Sequence, residues 1–321
     1  RVSRSLERPT ARYLPLLAAA LVAAPVLVGA AYAVVASVGL AGPGQSDNGL
    51  LDASRWQKVL SSRSTWSSIA WSLYVAFVST AVATLAAVAV AATFTTNTRA
   101  DRWARRVATL PLPVPHLVAA ASALLVLGQS GLLARVGYAA GLLQTPADMP
   151  PLVYDAPGIG LILTLAWKEW PFLALVAIAV RGTIGDTYDE AATGLGARAW
   201  TRWRLITWPL LWRGLLPSVI AVFVFALGSY ETAVLLAPVQ PVPLPVLTME
   251  RFADPALARR GDAYVLALLA LGIAALAVVV HEWTRARWAR RVLAGAAAAA
   301  RAAVARLWVA VACAVARHAA A

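Results

Sequence analysis

An all-α protein threaded several times through a membrane is what this sequence predicts, and three observations predict it. Sixty per cent of the 321 residues are hydrophobic and only 13% are charged, about half the charged fraction of a soluble domain. The apolar residues come in blocks too long for soluble strands or ordinary core helices. The arginines gather in short segments between those blocks.

A span needs about 20 mostly apolar residues to cross about 30 Å of hydrocarbon. Six stretches meet this: 14–40, 66–94, 107–129, 159–180, 214–237 and 263–283. The placement of basic residues sets the orientation. With a cytoplasmic N-terminus, 20 of the 28 Lys and Arg residues fall inside and 7 outside, with Lys168 within the fourth span. Both termini are therefore expected in the cytoplasm. The predicted organisation is an N-terminal segment (1–13), a six-span domain (14–283) whose cytoplasmic loop covers 181–213, and an Ala/Arg-rich tail (284–321).

The first apolar run follows four arginines and contains Ala31-Tyr32-Ala33. It is much longer than the 7–15 residues of a signal-peptide core, so a retained anchor is expected. The sequence opens on Arg1 rather than Met, which leaves open whether the native start is included. In the tail, charges at Arg301, Arg306 and Arg317 break the apolar runs to about 10 residues, too short to span. A surface helix or a frayed extension fits it.

The net charge of +13 is spread over separate segments without a continuous basic face, which excludes a nucleic-acid surface. Cys313 is the single cysteine, which rules out a disulfide within this sequence or a multi-thiolate metal site.

The segment between the fourth and fifth spans runs from Gly185 to Pro209. Asp186 is the expected N-cap of a short helix, with Asp189 three residues on. Asp189 and Glu190 then sit where the helix dipole favours negative charge. Gly194 and Gly196 permit a turn. A Trp- and Arg-rich second helix follows, until Pro209 either stops it or begins the fifth span.

This segment resembles the coupling loop of ABC-importer permeases. The shared signature is Glu-Ala-Ala, three residues, Gly, nine residues, Ile, one residue, Leu-Pro. Glu190-Ala191-Ala192, Gly196, Ile206 and Pro209 match it, and Trp208 stands where the pattern has Leu. Residues 167–172 and 225–231 are similar to permeases of the spermidine/putrescine group, which is close to the thiamine, iron(III) and molybdate/sulfate permeases. The resemblance covers about 14–283. It implies the type I importer permease fold, with Glu190 contacting an ATPase, Ala191 and Ala192 allowing close approach, and Gly196 making the turn. It also implies the partners: two ABC ATPase subunits, a second permease (identical or paralogous) and an extracytoplasmic solute-binding protein, in a bacterial plasma membrane.

Lys168 and Glu169 fall mid-span, where each charge costs about 2.5–3.5 kcal/mol unless it faces protein or water. Adjacent residues point about 100° apart, so they are poor partners for each other. Pro171 loosens the helix beside them. Two readings stay open: a role in the translocation path or at the second permease, or pairing within the bundle. Ser229, Tyr230 and Glu231 follow Gly228 in the fifth span. Glu231 either attracts a cationic, polyamine-like solute or accepts hydrogen bonds from a neighbouring helix. Pro238, Pro241, Pro243 and Pro245 predict a stiff, extended outer connection suited to a gate edge or a docking surface.

His116 and His281 read as interfacial, and His281-Glu282 is not completed to a zinc motif, because position 285 is Arg. Gly194-Leu-Gly196 lacks the βαβ surroundings of a dinucleotide site. Neither a nucleophile elbow nor a phosphate-binding loop ending in Gly-Lys-Ser/Thr occurs. No residue is assigned a catalytic or metal-ligating role, and no cofactor is expected on this chain, since Mg-ATP would sit on the partner ATPase. The rival functions are an ion-coupled secondary transporter, for which no repeated halves are visible, and an intramembrane enzyme.

Overall fold

The computed structural model describes residues 13–42, 52–93, 99–184 and 187–287. It divides into two compact units, 1–272 and 273–321. Asp186 and the tail beyond residue 287 lie outside the described residues.

All regular elements described are helical. α1 (Leu14–Ser37) is followed by the short α2 (Ser54–Ser61), the long α3 (Arg63–Thr93) and α4 (Arg99–Ala108). Then come α5 (His116–Leu127), α6 (Leu132–Ala139) and α7 (Ile159–Ile184). The loop helices α8 (Thr187–Gly194) and α9 (Ala199–Arg202) lead into α10 (Trp208–Leu227), α11 (Tyr230–Leu236) and α12 (Leu244–Phe252). The last described helix, α13, covers Leu257–Arg287, and the boundary between the two units falls within it. Six stretches among the described residues are long and apolar enough to cross a membrane, as the sequence predicts.

The core is the packing of α3, α7 and α10 on one another. Ala83, Ala87 and Ala91 lie at four-residue spacing on α3, all fully buried, against Leu173, Ala174 and Ala177 of α7 and Leu211 and Leu215 of α10. Such small residues let helix backbones approach where lipid offers no hydrophobic drive to association. Gly214 extends the principle to the α7–α10 contact, where a Cβ would stand 2.6 Å from a methyl of Val180. Buried side chains on α3 make hydrogen bonds within or between elements, whereas the buried Thr80 hydroxyl has no partner among the described residues. Thr84 donates to the carbonyl of Thr80 (2.7 Å), and Ser72 Oγ accepts the N–H of Leu244 (2.8 Å).

Two predicted spans are broken, and one starts later than predicted. The stretch 107–129 is not one helix, because Pro111, Pro113 and Pro115 hold 109–115 in turns and α5 starts only at His116. α5 is about 18 Å long at 1.5 Å per residue. The chain then turns at 128–131 before α6 completes the candidate span to Ala139. The stretch 214–237 begins earlier, at Trp208, and breaks at Gly228-Ser229 before α11. The proline run is also less open than predicted. Pro238 and Pro243 are buried, and Pro245 lies in the first turn of α12.

On the side of the bundle where α2 lies, Arg55 donates to the carbonyl of Ala36 (2.9 Å) and Lys58 pairs with the buried Asp262 (2.8 Å). These contacts tie α2 to the end of α1 and the start of α13. Asp155 accepts the N–H of Ile159 (2.7 Å) at the start of α7, and Trp71 of α3 donates to the carbonyl of Ala156 (2.9 Å). Between the third and fourth spans, backbone N–H groups of Thr145 and Gln144 hold the Asp148 carboxyl below its ordinary range. In the second unit, Arg285 pairs with Glu282 (2.7 Å) and the Arg287 guanidinium covers the Trp283 ring at 3.5 Å.

The α7–α10 contact yields a test. Gly214→Ala is expected to destabilise the reconstituted chain by about 1–3 kcal/mol through overpacking, and adding Val180→Ala should recover most of the loss in thermal unfolding. A Gly214→Ala chain as stable as the parent would refute the close approach.

Candidate functional site: the buried polar layer and the exposed loop

The mid-span charges turn away from each other and find separate partners. Lys168 is buried, and its Nζ donates to the carbonyl of Leu112 at 3.3 Å. Glu169 Oε1 lies 2.9 Å from His116 Nε2, with both side chains mostly buried. The other face of the His116 ring environment is Phe225 of α10, with ring centroids 4.6 Å apart. The proline turn and the first residue of α5 are thus each held to the middle of α7 by one polar contact. His116, the residue that begins α5, joins α5, α7 and α10.

The sequence-predicted path residues therefore separate into two groups. Lys168, Glu169 and Ser229 have internal partners, Ser229 Oγ donating to Thr232 Oγ1 at 3.1 Å across the first turn of α11. Tyr230 and Glu231 are exposed. Sequence reading missed His116 as a partner, although the Pro-x-Pro-x-Pro-His run was the signal that a helix begins there. Two recesses, of about 330 and 570 Å³, lie beside α5, the first lined by Ala119, Ser122, Leu163 and Trp167 and the second by Gln129, Ser130, Arg135 and Tyr154. The predicted path residues line neither.

The loop between α7 and α10 folds as a helix, a turn and a second helix. α8 carries Glu190 and Ala191 exposed and Ala192 buried. It ends in paired turn bonds, from the N–H of Gly196 to the carbonyl of Thr193 (2.9 Å) and from the N–H of Ala197 to that of Ala192 (3.0 Å). This termination needs a left-handed residue, and Gly196 supplies it at φ 78°. α9 does not stop at Pro209. It passes through a wide turn, Trp203–Thr207, in which the N–H of Trp208 donates to the carbonyl of Trp203 five residues back. Pro209 has no N–H to continue the regular ladder, so the wide turn re-phases the helix and α10 proceeds with Pro209 in its first turn. Ile206 lies inside the wide turn. Trp208 stacks on Trp212 (centroids 5.5 Å), and Arg181 at the end of α7 lies over the Trp203 ring at 5.7 Å. Tyr188, Leu195, Trp200 and Leu205 project from the loop, more than half exposed. Exposed apolar side chains of this kind suit contact with another protein or with a membrane.

A bacterial ABC transporter involved in the import of the acidic polysaccharide alginate has a chain that matches this one with a TM-score of 0.61, covering 85% of this chain and 94% of that one at 17% identity. The fold is that of an ABC-importer permease. A second structure of an alginate ABC transporter, in complex with an alginate-pentasaccharide-bound periplasmic protein, matches this permease fold with a TM-score of 0.62 at 16% identity. In sequence, the chain is 31% identical over 154 residues to the inner membrane ABC transporter permease protein YnjC of Escherichia coli K12, covering 46% of this chain and 28% of that protein. The thiamine transport system permease ThiP of Brucella suis is 30% identical over 131 residues, covering 41% of this chain and 23% of that protein. The molybdenum transport system permease ModB of Mycobacterium tuberculosis is 27% identical over 186 residues, covering 56% of this chain and 64% of that protein. The chain thus spans about a quarter of the length of the first two relatives and just under two thirds of the third. No protein-family profile matches it.

The polar layer is testable by a double-mutant cycle. Glu169→Leu and His116→Phe should each lower thermal stability in lipid nanodiscs by about 1–3 kcal/mol, because each strands a largely buried partner. The double variant should lose less than the sum. Strictly additive losses would show that the pair does not interact.

Proposed function

We propose that this chain is the permease subunit of an ABC importer, forming a solute path by alternating access and driven by an ATPase on a separate chain. The observation that carries the proposal is the exposed loop 187–209 on an ABC-importer permease fold, with Glu190, Ala191, Gly196 and the apolar Tyr188, Leu195 and Trp200 at its surface. In this reading α8 and the turn at Gly196 dock into the ATPase, and the wide turn at 203–207 passes the displacement into α10. Ile206 and Pro209 belong to that transmission element, and Ala192 packs beneath the docking surface. Trp208 replaces the leucine of the family pattern with another bulky apolar group, and its stacking on Trp212 stiffens the start of α10.

ATP binding closes two ATPase subunits, which move the loops and bias the spans of two permeases between outward- and inward-facing states. An extracytoplasmic binding protein delivers the solute, the loop faces the cytoplasm with both termini, and the complex lies in a bacterial plasma membrane. The arginine distribution supports that sidedness. Tyr230 and Glu231, exposed at the break between α10 and α11, are the part of the predicted path best placed to meet solute or the second permease. Lys168, Glu169 and Ser229 shape the wall behind them. A polyamine-like cation fits the negative charge of Glu231. The fold likeness favours this reading over an ion-coupled secondary transporter or an intramembrane enzyme.

Gly196→Val forces a β-branched residue into left-handed backbone, at a cost of about 1–2 kcal/mol, and should disorder the docking turn. Affinity purification of the tagged chain from its own membranes should bring down vanadate-sensitive ATP hydrolysis. The Gly196→Val chain, present at normal level, should bring down at least tenfold less. Equal hydrolysis with both chains, or none with the parent, refutes docking through this loop.

A further inference from the structure

α4 is a ten-residue helix whose basic residues share one side. Arg99, Arg102 and Arg106 fall at i, i+3 and i+7, the spacing of a single helical face, and all three are exposed. By sequence register alone, Arg105 falls beside them, Ala100, Ala104, Val107 and Ala108 fall on the other side, and the single acidic residue, Asp101, falls at the edge between Ala108 and Arg105. Trp103 sits at the border between the two sides and is 66% exposed. Among the described residues, Arg99 and Arg106 form no ion pair. A small apolar side, a basic side and a tryptophan between them make up the pattern of a helix that lies in the membrane interface.

The chain around α4 keeps it there. α3 has 31 residues, about 46 Å at 1.5 Å per residue, so it outreaches the hydrocarbon and ends at headgroup level. Only residues 94–98 separate it from α4, and α5 re-enters eight positions after α4 ends. A basic face tethered at both ends to membrane-crossing helices is held where phospholipid phosphates are concentrated.

We propose that α4 binds anionic phospholipid headgroups through Arg99, Arg102 and Arg106, with Trp103 anchoring it among the acyl-chain ends. Charge complementarity selects the ligand, since a zwitterionic headgroup offers no net charge to a basic helix face. The inference rests on the placement of α4 and is independent of the transport reading, so it stands or falls separately from it.

The test uses the full chain reconstituted into bilayers holding spin-labelled phosphatidylglycerol or phosphatidylcholine, with relative association read by electron paramagnetic resonance. The parent should prefer phosphatidylglycerol, and the preference should shrink as salt rises from about 0.05 to 0.5 M, where the Debye length falls from more than 10 Å to a few Å. R99Q/R102Q/R106Q should lose most of the preference, by up to about fivefold per arginine. R99K/R102K/R106K should keep it. R251Q/R259Q/R260Q, which removes the same charge from another segment, should leave it near the parent value. Three results overturn the proposal: a preference unchanged in R99Q/R102Q/R106Q, an equal loss in both glutamine triples, or a parent preference insensitive to salt. If R99Q/R102Q/R106Q does not reconstitute, the lysine triple and the salt series decide. Loss of a bound protein partner by R99Q/R102Q/R106Q with its lipid preference intact would likewise overturn it, by making this face a protein-docking surface.

Discussion

A bilayer core supplies no water, so backbone polar groups and charges placed there need partners within the protein, and the middle of this bundle is organised around meeting that demand. The contact between Glu169 and His116, with Lys168 on the carbonyl of Leu112 beside it, is where the demand is greatest. Neither acid nor amine lies free at mid-span. Glu169 reaches out of α7 to the first residue of α5, and Lys168 to the proline turn before it, where the missing N–H groups and irregular path leave a carbonyl available. The break that weakens the third span and the charges that burden the fourth are thus complementary. Removing the prolines would leave Lys168 without its acceptor, and removing the charges would leave the turn without its tie to α7.

The same demand explains the second break. Gly228 and Ser229 interrupt the fifth span, and the hydroxyl of Ser229 takes up a partner on Thr232 rather than facing lipid unpaired. Beyond the break, α11 starts with Tyr230 and Glu231 exposed. The chain therefore separates polar residues that build the wall from polar residues that present a surface. Positions 229 and 231, two apart in the sequence, fall on opposite sides of that division.

Much of this was legible in the sequence, and what was not has identifiable causes. Apolar block length revealed all six spans, because a twenty-residue apolar run has few alternatives to a membrane helix. The turn at Gly196 was legible because its left-handed backbone demands a residue type that stands out. The reading of 107–129 as one helix failed because hydropathy averages over Pro111, Pro113 and Pro115, which individually forbid regular backbone hydrogen bonding. The partners of Lys168 and Glu169 were hidden for a different reason. They lie 56 and 53 positions away, and no local pattern encodes a contact of that separation. The wide turn at 203–207 was equally hidden, since Pro209 signals an interruption without saying whether the helix ends or re-phases.

The alanines at the centre of the bundle carry a thermodynamic consequence. Ala83, Ala87, Ala91, Ala174 and Ala177 have no side-chain rotamers, so seating α3 against α7 freezes no side-chain motion along that line, whereas a seam of Leu or Met would forfeit about 0.5–2 kcal/mol of rotamer entropy at each position. Where the solvent is hydrocarbon and burial earns almost nothing, this absence of an entropic penalty lets modest dispersion forces hold the two longest-buried helices together.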